Sequence, residues 1–214
     1  MDAERFAREL PLLFDDFPRS EHPRERRFAD VLDRLGGLAC ENNLALANLA
    51  ASLLEPDECY VELGTFKGAS LVSAMLGNEG KEFVAIDSFA LAGGSRALLE
   101  TNLRMFGVEP PEILEGDVFE LLHGGALDGR RIGVAYWDLL HAYDPILTGL
   151  ALLEPHLAPG ALVIVDDSDW VEVDRALADY LAAQPRARRL VTIDGDRRGR
   201  PWWWEGVVVV AWDG

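Results

Sequence analysis

The stretch Tyr60-Val61-Glu62-Leu63-Gly64-Thr65-Phe66-Lys67-Gly68-Ala69-Ser70 decides the fold. An apolar run ends in an acid and a turn bearing two glycines, and Leu71, Val72, Met75 and Leu76 then fall at amphipathic positions. That order reads as a buried strand, a tight loop and a helix N-terminus. Gly64 and Gly68 let the backbone turn sharply and approach a ligand with no Cβ in the way. The next apolar run, Phe83-Val84-Ala85-Ile86, ends in Asp87, about twenty residues past the loop, where open α/β folds hold a ribose by its hydroxyls. This part of the chain therefore reads as a nucleoside-binding unit.

Spacing narrows the nucleoside. A dinucleotide fingerprint needs G-x-G-x-x-G and a phosphate-cradling loop needs G-x-x-x-x-G-K-[ST]. Neither is present here; the pattern is acid-x-Gly-x-x-x-Gly, from Glu62 to Gly68. Outward from it, strands and helices alternate. Phe6, Leu10, Leu13 and Phe14 share one face of a first helix, Phe28 to Leu35 form a second, and Leu46, Leu49, Ala50 and Leu53 mark a third. After Asp87, Leu99 to Phe106 are helical, Ile113-Leu114 is a short strand ending at Gly116-Asp117, and Phe119 to Leu122 are helical again. Ile132 to Trp137 is a strand ending at Asp138, and Ile146 to Leu157 is a helix stopped by Pro159-Gly160. Leu162 to Val165 is an apolar strand ending at Asp166-Asp167, and Val173 to Leu181 form the last helix. Arg189 to Ile193 and Gly206 to Trp212 read as a C-terminal β-hairpin at one sheet edge. The expectation is an α/β, Rossmann-like fold with a mostly parallel twisted sheet and helices on both faces. The length of 214 residues suits one domain, with N-terminal helices over 1–56 and a core over 57–214.

Right-handed crossovers place strand C-termini along one rim, so Glu62, Asp87, Asp117, Asp138, Asp166 and Asp167 should converge there. Clustered carboxylates repel and raise one another's pKa unless a cation neutralises them, and Mg²⁺ with oxygen ligands would serve. The formal net charge of −17 argues against nucleic acid and against an anionic membrane surface. A small-molecule partner is what remains. Cys40 and Cys59 lack metal-type spacing, and the charged start Met1-Asp2-Ala3-Glu4-Arg5 lacks a secretory apolar region. A reduced, cytoplasmic setting is the expectation.

The glycine pattern resembles the first motif of class I S-adenosylmethionine-dependent methyltransferases. The likeness narrows at Asp138-Leu139-Leu140-His141-Ala142-Tyr143, which looks like the D-G-D-H-x-Y element of a branch holding catechol-type and macrocin-type sugar O-methyltransferases. Leu157-Ala158-Pro159-Gly160 leading to Asp166-Asp167 is similar to that branch's L-x-P-G-G…D-D segment, and Asp87-Ser88-Phe89 matches its D-S-F. The resemblance implies cofactor contacts at Glu62, Gly64, Thr65, Phe66, Gly68, Ser70, Asp87, Ser88, Asp117 and Val118. It also implies Mg²⁺ on Asp138, Asp166 and Asp167 and methyl transfer to a small hydroxylated acceptor. Asp117 equally suits a helix N-cap, and Asp166 a cap of the helix after it. Leu139 and Leu140 replace the glycine and second acid of D-G-D, and in the branch's sugar-modifying members the resemblance makes that acid the general base. His141, Asp169 and Asp138 are then the catalytic candidates. Trp137 and Trp170 flank the acids as acceptor-pocket candidates; Pro201-Trp202-Trp203-Trp204 could line a pocket, form an interface or pack in the core. A homodimer through edge strands or N-terminal helices is a further expectation. The alternatives are a cofactor-binding protein without catalysis and a nicotinamide-dependent oxidoreductase.

Overall fold

The computed structural model describes residues 1–195 and 202–214. Among them a seven-stranded sheet runs in the order β3-β2-β1-β4-β5-β7-β6. The strands are β1 (Cys59–Leu63), β2 (Glu82–Asp87), β3 (Glu112–Glu115), β4 (Ile132–Trp137), β5 (Leu157–Asp166), β6 (Ala187–Ile193) and β7 (Val207–Trp212). The first five are parallel, and β7 inserts antiparallel between β5 and β6. The hairpin is thus present, with its second strand one place in from the edge.

Helices cover both faces because the strand residues are apolar on both. Tyr60, Ala85, Val134, Tyr136, Ile164 and Val209 pack toward one side. There lie α1 (Ala3–Glu9), α2 (Arg27–Leu35), α3 (Glu41–Ser52), α4 (Ala69–Met75) and α5 (Arg96–Met105). Val61, Ile86, Ala135, Trp137, Val163 and Val210 face the other side, beneath α6 (Val118–His123), α7 (Tyr143–Leu153) and α8 (Val171–Ala183). This two-faced burial is why β1 and β4 are buried along their whole length.

Two elements depart from their expected bounds. The first helix stops at Glu9, and Leu10–Leu13 continue as a 3₁₀ turn with Pro11 near its start, because proline supplies no N–H for an α-helical bond. Phe6, Leu10 and Phe14 nevertheless stay buried. The helix expected to reach Leu157 ends at Leu153, followed by a 3₁₀ turn over Glu154–His156. Pro159 and Gly160 lie inside β5. They sit in a bulge: pairing with β4 jumps from Ile132–Leu157 to Val134–Leu162, and an irregular stretch tolerates a missing N–H.

Among the described residues, no helix is long and apolar enough to cross a membrane.

Candidate active site

The turn after β1 is shaped by what it must avoid. Gly64 has φ +90°, and a Cβ there would stand 1.9 Å from the Asp138 carbonyl oxygen at the end of β4. Gly68 has φ +89°, and its Cβ would meet Leu99 of α5 at 2.4 Å. Only glycine fits both places, so the loop lies flat across the strand ends. Asp87 at the tip of β2 holds it there. Its Oδ2 accepts from the N–H groups of Thr65 and Phe66, both at 2.7 Å, and from Thr65 Oγ1 at 3.3 Å. Its Oδ1 accepts from Phe89 N–H at 2.6 Å, which leaves lone-pair capacity on that oxygen. Asp117 after β3 caps α6, accepting from Phe119 and Glu120 N–H through Oδ1; its Oδ2 faces no such duty. Cap and ligand contact are therefore compatible. Val118 is buried behind the cap and Ser88 is exposed on the loop beyond Asp87.

Glu62 sits deeper. It is fully buried in β1, accepting from Tyr60 Oη at 3.0 Å and Ser70 Oγ at 2.8 Å. Burial pushes its carboxyl up to about 8, against the lowering effect of those two hydroxyls.

The far end of the rim brings Asp138, His141 and Asp167 together, with one donor atom from each within 4.8 Å of the others. Asp138 is fixed by its N–H bond to Leu63 O. His141 follows on the loop into α7, and its Nε2 lies 2.7 Å from Asp167 Oδ2. The imidazole is 28% exposed and Asp167 12%, so a ligand can reach the ring while the carboxylate stays behind it. Trp170, half exposed, stacks on His141 with centroids 5.2 Å apart and planes 28° apart. Burial first, then the charge of Asp167, holds the Asp138 carboxyl well above its usual range. The Asp167 carboxylate 2.7 Å from Nε2 raises the His141 pKa. Phe66, Phe89 and Asp167, just past β1, β2 and β5, all have positive φ near 50°, backbone strain of the kind that gathers at ligand sites.

Three expected residues sit differently. Asp166 is outside the trio: its carboxylate accepts from Asn43 Nδ2 at 2.9 Å, Tyr136 Oη at 2.5 Å and Asp167 N–H at 3.1 Å. Asp169 turns to the base of the β6–β7 hairpin, where its Oδ2 accepts from Gly195 N–H at 3.0 Å. Trp137 is buried against Gly149 of α7 and edge-on to Phe119, so it lines the core and no acceptor bay. Of the tryptophan run, Pro201 lies outside the described residues. Trp203 is core, bonded to Pro18 O and packed on Phe14 and Phe17.

Sequence reasoning missed Asn43, which is fully buried. A signal existed: Asn43 stands three and seven residues before Leu46 and Ala50, on the apolar stripe of α3. A polar residue on a core stripe needs partners.

Known proteins share this fold. A model of the methyltransferase domain matches residues 61–168, from the first strand through the acidic pair. An uncharacterized protein, R132, of Acanthamoeba polyphaga mimivirus is 27% identical over 129 residues, spanning 57% of this chain and 57% of the viral protein. Among solved structures, an O-methyltransferase from Bacillus cereus in complex with SAH superposes at TM-score 0.63, with 13% identity over 98% of this chain and 99% of that one. The O-methyltransferase TomG from Streptomyces achromogenes, involved in tomaymycin synthesis and in complex with SAM, gives TM-score 0.63 with 18% identity over the whole of both chains. The chain belongs to the methyltransferase-domain family.

Proposed function

We propose that the chain transfers a methyl group from S-adenosylmethionine to a hydroxyl of a small acceptor, with His141 as general base. The observation that carries this is the His141–Asp167 pair, partly exposed beside Trp170 at the carboxyl ends of β4 and β5. When bound, the cofactor supplies an activated methyl on sulfonium. The residues present fit it: Gly64 and Gly68 let the turn lie across the strand ends, and Asp87 Oδ1 and Asp117 Oδ2 on adjacent strands keep lone pairs for ribose and base. The chain's own task is to align donor and acceptor and to take the hydroxyl proton. Asp167 holds the imidazole with one nitrogen engaged and raises its basicity. Trp170 offers a flat apolar face on which an acceptor rests beside the imidazole. A formal net charge of −17 favours an uncharged acceptor over an anionic one.

A divalent cation fits the same place. Asp138, His141 and Asp167 would hold it, and Asp167 Oδ1 is buried with no partner among the described residues. Such an ion would polarise the acceptor hydroxyl and lower its pKa.

The test is methyl transfer to a panel of phenols, catechols and sugars with Mg²⁺ or with chelator. Transfer to a panel member, lost by about 10²–10⁴-fold in His141→Ala, is expected; a rate lowered by chelator and restored by Mg²⁺ would make His141 and Asp167 ligands of a cation in place of the base and its partner. Cofactor binding without transfer to any acceptor would favour a non-catalytic binding protein. Transfer indifferent to chelator would remove the cation and leave the histidine–aspartate pair.

A further inference from the structure

We propose that Asn43, in the first turn of α3, is a positioning residue for the His141–Asp167 pair; the inference rests on reading that pair as the reacting end of the site. The Asn43 amide is fully buried and uses both its ends. Its Nδ2 donates to Asp166 Oδ1 at 2.9 Å, and its Oδ1 accepts from Trp204 N–H at 3.1 Å and from Cys40 Sγ at 2.8 Å. The Asp166 oxygen it holds is the one that accepts the Asp167 N–H at 3.1 Å. Asp167 adopts φ +55°, a left-handed conformation disfavoured for a side-chain-bearing residue. That conformation aims its carboxylate at His141 Nε2, 2.7 Å away.

The chain of contacts is therefore Asn43 to Asp166, Asp166 to the strained Asp167 backbone, and Asp167 to the imidazole. Tyr136 Oη steadies the other Asp166 oxygen, so Asn43 and the Asp167 N–H are the two donors seen on Oδ1. Loss of the amide donor leaves that oxygen free to rotate away and the left-handed turn with less to hold it. A buried polar network of this kind loses geometry when one member goes, and a site displaced by about 1 Å loses rate out of proportion to stability. α3 and the Trp204 backbone thus reach the reacting groups through one side chain.

The test compares Asn43→Leu and Asn43→Asp with Asn42→Leu, a neighbour that is equally buried and whose side-chain amide donates to Ser20 O and not to Asp166. Asn43→Asp keeps shape and the acceptor for Trp204 and Cys40, so it remains informative if the leucine variant fails to fold. Three readouts are taken: the ¹⁵N chemical shifts of the His141 ring, S-adenosylhomocysteine affinity by calorimetry, and kcat and KM for a working acceptor. Both Asn43 variants should move the ring shifts toward those of a solvent-exposed histidine. They should lower kcat by about tenfold or more, and leave cofactor affinity within about threefold, while Asn42→Leu changes only the melting temperature. Ring shifts and kcat matching those of Asn42→Leu would overturn the proposal. The ring shifts need no turnover: if the wild-type chain methylates nothing, displaced shifts still support the positioning role while the methyl-transfer reading falls.

Discussion

Glu62 carries a measurable consequence of being an acid in the middle of a core strand. Its carboxyl is held at about 8 in the fold against an ordinary 4.5, so between those values the folded chain binds more protons than the unfolded one. Stability must therefore fall as pH rises through that window, by at most a few kcal/mol for this group. Glu62→Gln keeps a partner for Tyr60 and Ser70 and removes the titration. Urea midpoints measured from pH 5 to pH 8 should drop less in the variant than in the wild type; parallel curves would contradict the assignment. At His141 the measurable pH effect is on rate. The Asp167 carboxylate raises the His141 pKa above the ordinary 6.5, and a base acts only when unprotonated. The rate of methyl transfer should rise with pH through that raised value, and Asp167→Asn should shift the inflection toward acid. The rim acids were readable as a set because each ends a strand. Which of them would face one another was not. Asp166 and Asp167 are adjacent, yet the left-handed turn at Asp167 sends them to different partners, and no spacing rule encodes that turn.

At the scale of elements, the loop between β1 and α4 is the part with no slack. Gly64→Ala places a methyl group inside contact distance of the Asp138 carbonyl at a backbone angle that alanine avoids. The expected result is destabilisation by about 2–4 kcal/mol, together with loss of cofactor binding, read by urea denaturation and calorimetry on the same preparation. Near-normal stability with near-normal binding would show that the loop can move. Periodicity found the helices and strands with few errors, and both errors share a cause. Pro11 and the Pro159-Gly160 pair interrupt a backbone ladder without ending the element's burial, so side-chain patterning ran on where the hydrogen bonds did not. Trp137 shows the matching failure in packing. Its place beside Asp138 suggested a pocket wall, but the strand's alternation points it into the core beneath α7, where Gly149 makes room for it.

For the molecule as a whole, the formal charge of −17 is a standing self-repulsion. Ion pairs such as Arg26–Glu41 and Arg188–Asp213 offset it locally, but exposed pairs contribute little each. Screening should therefore stabilise the fold. Raising NaCl from about 10 mM to about 0.5 M shortens the screening length several-fold and should raise the melting temperature, whereas a fall would mean that the ion pairs outweigh the repulsion. The mostly parallel sheet, its C-terminal strand pair and the placing of acids at strand ends were within reach of the sequence because each follows from patterning and handedness. The tie from α3 to the reacting groups was out of reach because it joins Asn43 to Asp166 across more than a hundred intervening residues. The claim on which the rest depends is that the cofactor lies over the glycine turn against Asp87. Calorimetric titration with S-adenosylhomocysteine tests it most directly, on the wild-type chain and on Asp87→Ala. The account predicts saturable one-to-one heat that is lost in the variant; no heat from the wild type, or an unchanged isotherm in Asp87→Ala, would contradict it.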